Sequence, residues 1–577
     1  MSKKRTSRLG FHVRAALLGL VVVVGGSALT LAPTKTPAKE TKRPNIIIVM
    51  ADDLGYSDLG CYGSEIQTPN LDKLAQGGLR FNAFYNAGRC CPSRASLLTG
   101  LYPHQAGIGK MTFNEGKPGY VGSLNEHTVT IAEALRTAGY QTGMVGKWHI
   151  SETVERKDKS EQLQWLAHQA DFGNFADLKT YPTARGFDKY YGTIWGVVDY
   201  FDPFSLVYGD KPVKTVPKDF YYTNALGDSA VAFVNQFSKS DKPFFMYVAY
   251  TAPHWPVQAL PEDIKKYENV YKEGWQALRK KRYQRLIDAK LFDPATTPLP
   301  EFMFPKQDWA TDPTQQWDAH AMAVHAAMVD RMDRSIGQLV AELKRTKQLD
   351  NTVILFMSDN GASPENPTEY GPGFDRAGGT RAGQTVAFPT KKEVMPGGQL
   401  VHAGIGEIWA HSVNTPFRYY KAKQHEGGIT TPMIVHWPQG VQQPGRVVRE
   451  PLHVLDMMRT CLDLAKASYP STYQGRSITP SPGKSFVPLL TSVKAPAQRL
   501  HPELFWEHFG AAAFRQQDWK IVRLNANDPW ELYDLKGNRS ETKNLAAQYP
   551  DRVKAMSQRW QQLAEAYQVF PKPTNPQ

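Results

Sequence analysis

Two hydrophobic patterns recur along this chain. Asn45–Ala51 reads Asn-Ile-Ile-Ile-Val-Met-Ala, a continuous apolar run of the length expected for a strand buried on both faces. Similar runs recur at Phe244–Tyr250, Thr352–Met357 and Pro432–His436, and Gly139–Val145 is a further strand candidate. Between them the spacing turns helical, as over Thr128–Ala138. A stripe of Val324, Met328, Met332, Ile336, Leu339 and Leu343 falls on one helix face. Strands alternating with helices predict an α/β fold, a large mostly parallel central sheet flanked by helices. In such folds ligands gather beyond the carboxyl ends of the strands. After about residue 450 the pattern changes. It predicts a helix carrying Leu452, Leu455 and Leu462, short strands at Trp519–Leu524 and Trp530–Tyr533, and a final helix over Asp551–Tyr567.

Two stretches break the alternation. Residues 262–318 are charged, aromatic and Pro-containing, and read as an insertion. Residues 361–415 are rich in Gly, Pro and Thr, and a long irregular segment of this kind is expected to shape a pocket rim. No internal repeat is visible. The amino end differs again: Lys3, Lys4, Arg5, Arg8 and Arg14 precede an apolar run from Ala15 to Ala32. That is the layout of a secretory signal, and it predicts an exported, periplasmic or secreted protein in preference to an anchored one. The expected organisation is a signal at 1–32, a linker at 33–43, a catalytic domain at 44–450 and a smaller subdomain at 451–577.

Charge and cysteine content narrow the function. The formal net charge is +13, but residues 1–43 contribute +8 of it, leaving +5 over the rest of the 577-residue chain. With no dense basic tract and no nucleic-acid motif, a nucleic-acid partner is not expected, nor a stable membrane association. The four cysteines, Cys61, Cys90, Cys91 and Cys461, are too few for a disulfide scaffold and fit no structural zinc spacing.

Two of them sit in the most informative stretch, Cys90-Cys91-Pro92-Ser93-Arg94-Ala95-Ser96-Leu97-Leu98-Thr99-Gly100. Pro92 suits the first position of a helix and Gly100 its end, which places the cysteines just before a helix N-terminus. Free N–H groups and the helix dipole favour an anion there, and Arg94 adds a permanent cation one turn further in. Elsewhere, Asp52-Asp53 and Ser358-Asp359-Asn360-Gly361 each follow an apolar run directly. Together they offer four oxygen-donating side chains and no soft ligand, a set that suits Ca²⁺ or Mg²⁺ better than zinc.

Cys-x-Pro-Ser-Arg-x-x-x-x-Thr-Gly resembles the signature of the type I sulfatases, within the alkaline-phosphatase-like superfamily. The resemblance runs from about Pro44 to Phe570. Flanking blocks such as Thr68-Pro69-Asn70-Leu71-Asp72 and Asn414-Thr415-Pro416-Phe417-Arg418-Tyr419-Tyr420-Lys421 look most like bacterial arylsulfatases. It implies that Cys90 is converted to formylglycine (3-oxoalanine) by a maturation enzyme, and that the hydrated aldehyde is the nucleophile. It also implies one divalent cation, usually calcium, bound by Asp52, Asp53, Asp359, Asn360 and the modified Cys90. Asn360 stands where many two-metal phosphoryl-transfer relatives have His. The remaining catalytic residues, by the same resemblance, are Arg94, Lys147, His149, His254 and Lys421. Lys147 and Lys421 would neutralise the sulfate oxygens, His254 would protonate the leaving oxygen, and His149 would remove the last hydroxyl proton. The sequence departs from the family pattern at Ile150-Ser151, which puts the pocket wall in question. The expected function is hydrolysis of small-molecule or carbohydrate sulfate monoesters, arylsulfatase in type. A phosphonate monoester or phosphodiester hydrolase and a carbohydrate sulfatase are the alternatives.

Overall fold

The structure, a computed structural model, describes residues 42–168, 173–366, 378–388, 391–494 and 496–573. The predicted signal and most of the linker lie outside the described residues. Eleven strands form one sheet: β1 (Asn45–Ala51), β2 (Leu79–Tyr85), β3 (Gln141–Gly146), β4 (Lys189–Thr193), β5 (Leu206–Tyr208), β6 (Lys211–Pro212), β7 (Phe244–Ala249), β8 (Thr352–Ser358), β9 (Thr430–His436), β10 (Val447–Val448) and β11 (Leu452–His453). Their order is β10-β2-β9-β8-β1-β7-β3-β4-β5-β6, with β11 also on β2. The central strands β8, β1, β7, β3 and β4 are parallel. β9 runs antiparallel to both its neighbours.

The unbroken apolar runs are explained by what covers the sheet. Alternate residues of β1 enter different cores: Ile47, Val49 and Ala51 face one, Ile46, Ile48 and Met50 the other. The first core is closed by the long helix Gln315–Arg345, which buries the whole predicted stripe from Val324 to Leu343, and by the helix Tyr222–Phe237. The second is closed by helices Cys90–Thr99, Ile131–Thr137 and Asp456–Leu464. Thr130 starts Ile131–Thr137 with a capping box: its hydroxyl accepts from Glu133 N while the Glu133 carboxylate accepts from Thr130 N.

Two expectations are corrected, while residues 262–318, read as an insertion, pack into the main body. Trp275, Leu278 and Leu286, on a helix at Gly274–Asp288, lie in the same core as β1. Leu452 falls in β11 instead of on the helix that begins at Asp456, and the hairpin β12 (Thr472–Tyr473) and β13 (Arg476–Ser477) follows that helix. Cys90 and Cys91 are the first two residues of their helix instead of preceding it, and Pro92 is the third. The first turn needs no N–H from any of these positions, so Pro92 is accommodated two places later than expected. Gly100 does end the helix, in a left-handed conformation with φ 71°.

Beyond this body, β14 (Glu503–His508), β15 (Ala511–Gln516), β16 (Trp519–Arg523) and β17 (Glu531–Asp534) form an antiparallel sheet. One face packs Phe505, Phe514, Ile521 and Leu532 against Met556, Trp560 and Leu563 of the final helix, Pro550–Ala566. The other face, with Trp506 and Val522, packs on Tyr85 and Ile429 of the main body. Buried Glu426 fastens this junction: it accepts from Lys520 Nζ at 2.8 Å and Tyr85 OH at 3.0 Å, and pairs with Arg539. All four cysteines are free, so Cys61 and Cys461 do not pair. No described helix is long and apolar enough to cross a membrane.

Candidate active site

The site lies where the parallel strands end. Backbone pairing continues past them: Asp52 N donates to Ala252 O at 3.2 Å, Lys147 N to Ala249 O at 2.9 Å and Asp359 N to Ala51 O at 3.2 Å. Adjacency of β8, β1, β7 and β3 thus sets Asp359, Asp52, His254 and Lys147 side by side. Gly146, just before Lys147, has φ 101°, and a Cβ there would lie 1.8 Å from Ala249 O. Only glycine fits that approach. Asp53 and His149 take left-handed conformations, φ 63° and 56°. Non-glycine residues held there cost of order 1–3 kcal/mol, and such strain gathers at functional sites.

Every predicted site residue meets here. Lys147 Nζ lies 2.6 Å from Asp52 Oδ2, and Lys421 Nζ 2.9 Å from Asp53 Oδ2. His254 Nε2 stands 3.4 Å from both Lys421 Nζ and Asp53 Oδ2, while its Nδ1 is 2.5 Å from Trp255 O. Arg94 donates to Asp359 Oδ2 through Nε and Nη2 at 3.0 and 2.8 Å, and through Nη1 to Lys147 O at 2.9 Å. Its fork is therefore spent on fixing Asp359 and the Lys147 backbone. Cys90 is 2% exposed at the helix start, and Cys91 Sγ lies 3.2 Å from His149 Nε2.

Electrostatics follow from burial. Desolvation works against charge on Asp52, but Lys147, His254 and Arg94 overcome it and hold the carboxyl down at about 2. Asp359 is pushed well above the usual carboxylate range by burial and by the neighbouring Asp52 charge. A hydrogen bond from Cys91, with Lys147 and His149 nearby, pulls the Cys90 thiol down against its burial. Burial and the Lys147 charge lower His149 to about 4.

The residues present fit a hard cation. Asp52 Oδ1 and Asn360 Oδ1 are buried with no hydrogen-bond partner, lone pairs that a cation would satisfy. Asp53 Oδ1 accepts from Asn360 Nδ2 at 2.5 Å, so the oxygens of Asp52, Asp53 and Asn360 belong to one cluster. All are oxygen donors, as Ca²⁺ or Mg²⁺ require. Sequence reasoning missed Glu365. It accepts from Lys421 Nζ (3.0 Å), Trp255 Nε1 (2.7 Å) and Ser363 Oγ (3.0 Å), and pairs with Arg89 at 2.8 Å. Its only signal was its place in the irregular 361–415 stretch. Residues Ile150 and Ser151 are buried, and Ser151 Oγ donates to Thr180 O, so this departure lies behind the wall.

A cavity of about 80 Å³ opens over Cys90, His149, His254 and Lys421, walled by Met111, Phe113, Trp195 and Trp255. A second, of about 40 Å³, shares Val197 with it and is lined by Asp199, Asp202, Gln399 and His402. Glu365, in the first, and Gln399 and His402, in the second, come from the expected rim stretch.

A sulfatase family model matches residues 44–467. The chain belongs to the sulfatase family. A second model, the N-sulphoglucosamine sulphohydrolase C-terminal region, matches residues 417–568. An uncharacterized sulfatase of Schizosaccharomyces pombe is 32% identical over 90% of this chain and 93% of its own length. The arylsulfatase of Klebsiella aerogenes is 32% identical over 74% of this chain and 88% of its own. Among solved structures, Ps i-CgsB superposes with a TM-score of 0.61 at 27% identity, covering 92% of this chain and 94% of that one. The protein is a sulfuric ester hydrolase, and its mostly parallel sheet with a carboxyl-terminal antiparallel sheet is the architecture of its family.

Proposed function

We propose that this sulfatase cleaves sulfate monoesters of arylsulfatase type, using residue 90 matured to formylglycine and one Ca²⁺ held by Asp52, Asp53, Asp359, Asn360 and residue 90. The observation carrying this is the convergence of two tethered lysines, two histidines and the Cys90 helix start on one cavity beside unpartnered hard oxygens. When bound, the cation supplies charge stabilisation, and the hydrated aldehyde supplies the nucleophilic oxygen. The rest falls to this chain's side chains. Lys147 and Lys421, fixed by Asp52 and Asp53, neutralise the sulfate oxygens without reorganising during the reaction. Asp359, clamped by Arg94, accepts the proton given up by the nucleophile. His254 Nδ1, against the Trp255 carbonyl, leaves Nε2 to hold the proton for the leaving oxygen. His149 stays neutral and its Nδ1 is buried without a partner, so it is ready to take the final hydroxyl proton. The apolar wall of Met111, Phe113, Trp195 and Trp255 favours an aromatic leaving group. The adjoining polar cavity supports a second reading, a sugar leaving group, and relatives include an N-acetylglucosamine-6-O-sulfatase of Bacteroides thetaiotaomicron. Export through the amino-terminal signal, and a maturation enzyme acting on Cys90, belong to the same reading.

The test is twofold on protein from its own host: the mass of the Cys90 peptide, and kcat/KM on phenyl sulfate against phenyl phosphonate. Aldehyde in place of thiol and preference for the sulfate are expected. An unmodified Cys90 in active enzyme, or preference for the phosphonate, would overturn the proposal.

A further inference from the structure

The largest cavity described lies away from the catalytic residues, between strand β2, the segment after helix Gly274–Asp288 and the carboxyl-terminal sheet. It holds about 600 Å³ and is lined by Lys290, Arg449, Arg499, Arg515, Lys536 and Arg539, against only two carboxylates, Asp293 and Asp518. Both carboxylates are engaged. Asp518 pairs with Arg499 at 2.5 Å and Arg515 at 3.6 Å, and Asp293 Oδ1 accepts from Ala295 N. Lys290, Arg449 and Lys536 have no ion-pair partner among the described residues. The Arg449 guanidinium donates to the Lys290 carbonyl at 2.8 Å, which brings two separate segments together on one side of the cavity. On the inner wall Arg539 sits against the rings of Tyr85 and Phe417 and is already paired with Glu426.

Cations drawn into one concavity repel each other and focus a positive field that an anion relieves. The unpaired cations Lys290, Arg449 and Lys536, on three separate segments, describe a site suited to oxyanions. The volume lies within the roughly 300–1,000 Å³ of organic-ligand sites, far more than one ion needs.

We propose that this cavity is a second, non-catalytic binding site for sulfate groups carried on an oligosaccharide. Holding one sulfated stretch here would raise the local concentration of the remaining esters around the enzyme. The choice of sulfate rests on the sulfatase activity. The site itself rests on neither formylglycine nor calcium, so it can fail independently of them.

The test compares two charge-reversed proteins with the same change in net charge. One carries Lys290→Glu, Arg449→Glu and Lys536→Glu. The control carries Lys239→Glu, Lys242→Glu and Lys265→Glu, all exposed and on other segments. Each is also made with Cys90→Ala, and these are titrated calorimetrically with short dextran sulfate, unsulfated dextran and inorganic sulfate. The cavity variant should bind dextran sulfate about tenfold more weakly and the control within roughly twofold of the parent. With Cys90 intact, kcat/KM on nitrophenyl sulfate should stay within roughly twofold in both, because none of the substituted residues lines the catalytic cavity. Should the triple variant not fold, by thermal unfolding, Lys536→Glu alone should still weaken dextran sulfate binding while sparing nitrophenyl sulfate. Equal losses in variant and control would mean unspecific attraction, and no loss in either would mean no site. Inorganic sulfate binding as tightly as the oligosaccharide would mean an ion site only. Each of these three results overturns the proposal.

Discussion

In the proposed mechanism His254 protonates the leaving oxygen, and replacing it with alanine tests that role. The structure makes the effect separable from binding. The Lys421–Asp53 pair, at 2.9 Å, and the Lys147–Asp52 pair, at 2.6 Å, do not depend on the imidazole. The lysines proposed to neutralise the sulfate therefore stay in place, and KM should change little. Loss of a general acid typically costs about 10²–10⁴-fold, or about 2.7–5.5 kcal/mol of barrier, but only when the departing oxygen needs the proton. Phenol, with a pKa of about 10 like tyrosine, needs it; nitro-substituted phenols leave readily as anions. The assay is kcat across a series of aryl sulfates of rising phenol basicity, for the parent and for His254→Ala. The variant should lose less than about tenfold on nitrophenyl sulfate and about 10²-fold or more on phenyl sulfate. A uniform loss across the series would refute the acid role and leave His254 as a prop for Asp53 and Lys421.

Chelation followed by calcium addition should raise the unfolding temperature, because Asp52, Asp53 and Asp359 crowd one buried place; at a hundred times Kd the gain is about 2.7 kcal/mol. No shift with either calcium or magnesium would argue against a cation there. Glu426→Ala should destabilise the protein by about 3–5 kcal/mol, since Lys520 and Arg539 lose a buried partner, and a denaturant midpoint equal to the parent's would contradict this. Acidification from pH 6.5 to about 4 should lower stability. His149 at about 4 and His411, His453 and His508 at about 3 stay neutral in the fold, mainly through burial, while the unfolded chain takes up protons. Asp199 and Asp333, raised to about 6 by burial, and Asp359, raised further, oppose this but are outnumbered, leaving a fall of about 1.4 kcal/mol per pH unit. Midpoints that stay flat or rise on acidification would show the sign to be wrong.

What could be read in advance followed from how strongly each segment's own chemistry committed it. β1, β7 and β8 are buried at every position and almost wholly apolar because helices cover both faces, so their unbroken runs exposed them. Their carboxyl ends then pointed to Asp52, Asp53, Asp359 and His254. Other elements were hidden for physical reasons. β2 (Leu-Arg-Phe-Asn-Ala-Phe-Tyr) carries Arg80 and Asn82, whose polar groups find partners at Cys61 O and Leu291 O, so its strand character is diluted. β15 opens with three alanines, which favour no strand, and is held by its neighbours β14 and β16. Segment 262–318 read as an insertion because it is charged, aromatic and Pro-containing, yet its Arg282 is buried on Asp58 at 2.7 Å and Glu65 at 2.7 Å. Glu365 had no pattern around it, and only the fold brings it to Lys421.

The helix that begins at Cys90 is closed over completely: all ten residues are buried, and Cys90 lies beneath the cavity walls. A modifying enzyme that must wrap the peptide around this cysteine cannot do so once the helix is seated between the sheet and Asp456–Leu464. Any such chemistry at position 90 therefore has a deadline. It must be finished while the chain is still open, before residues as distant as Lys421, 368 positions beyond Asp53, have arrived to complete the site. If residue 90 is matured as proposed, the fraction of working molecules in a preparation would be fixed by a race between modification and folding, and a perfectly folded sample could still be mostly inert.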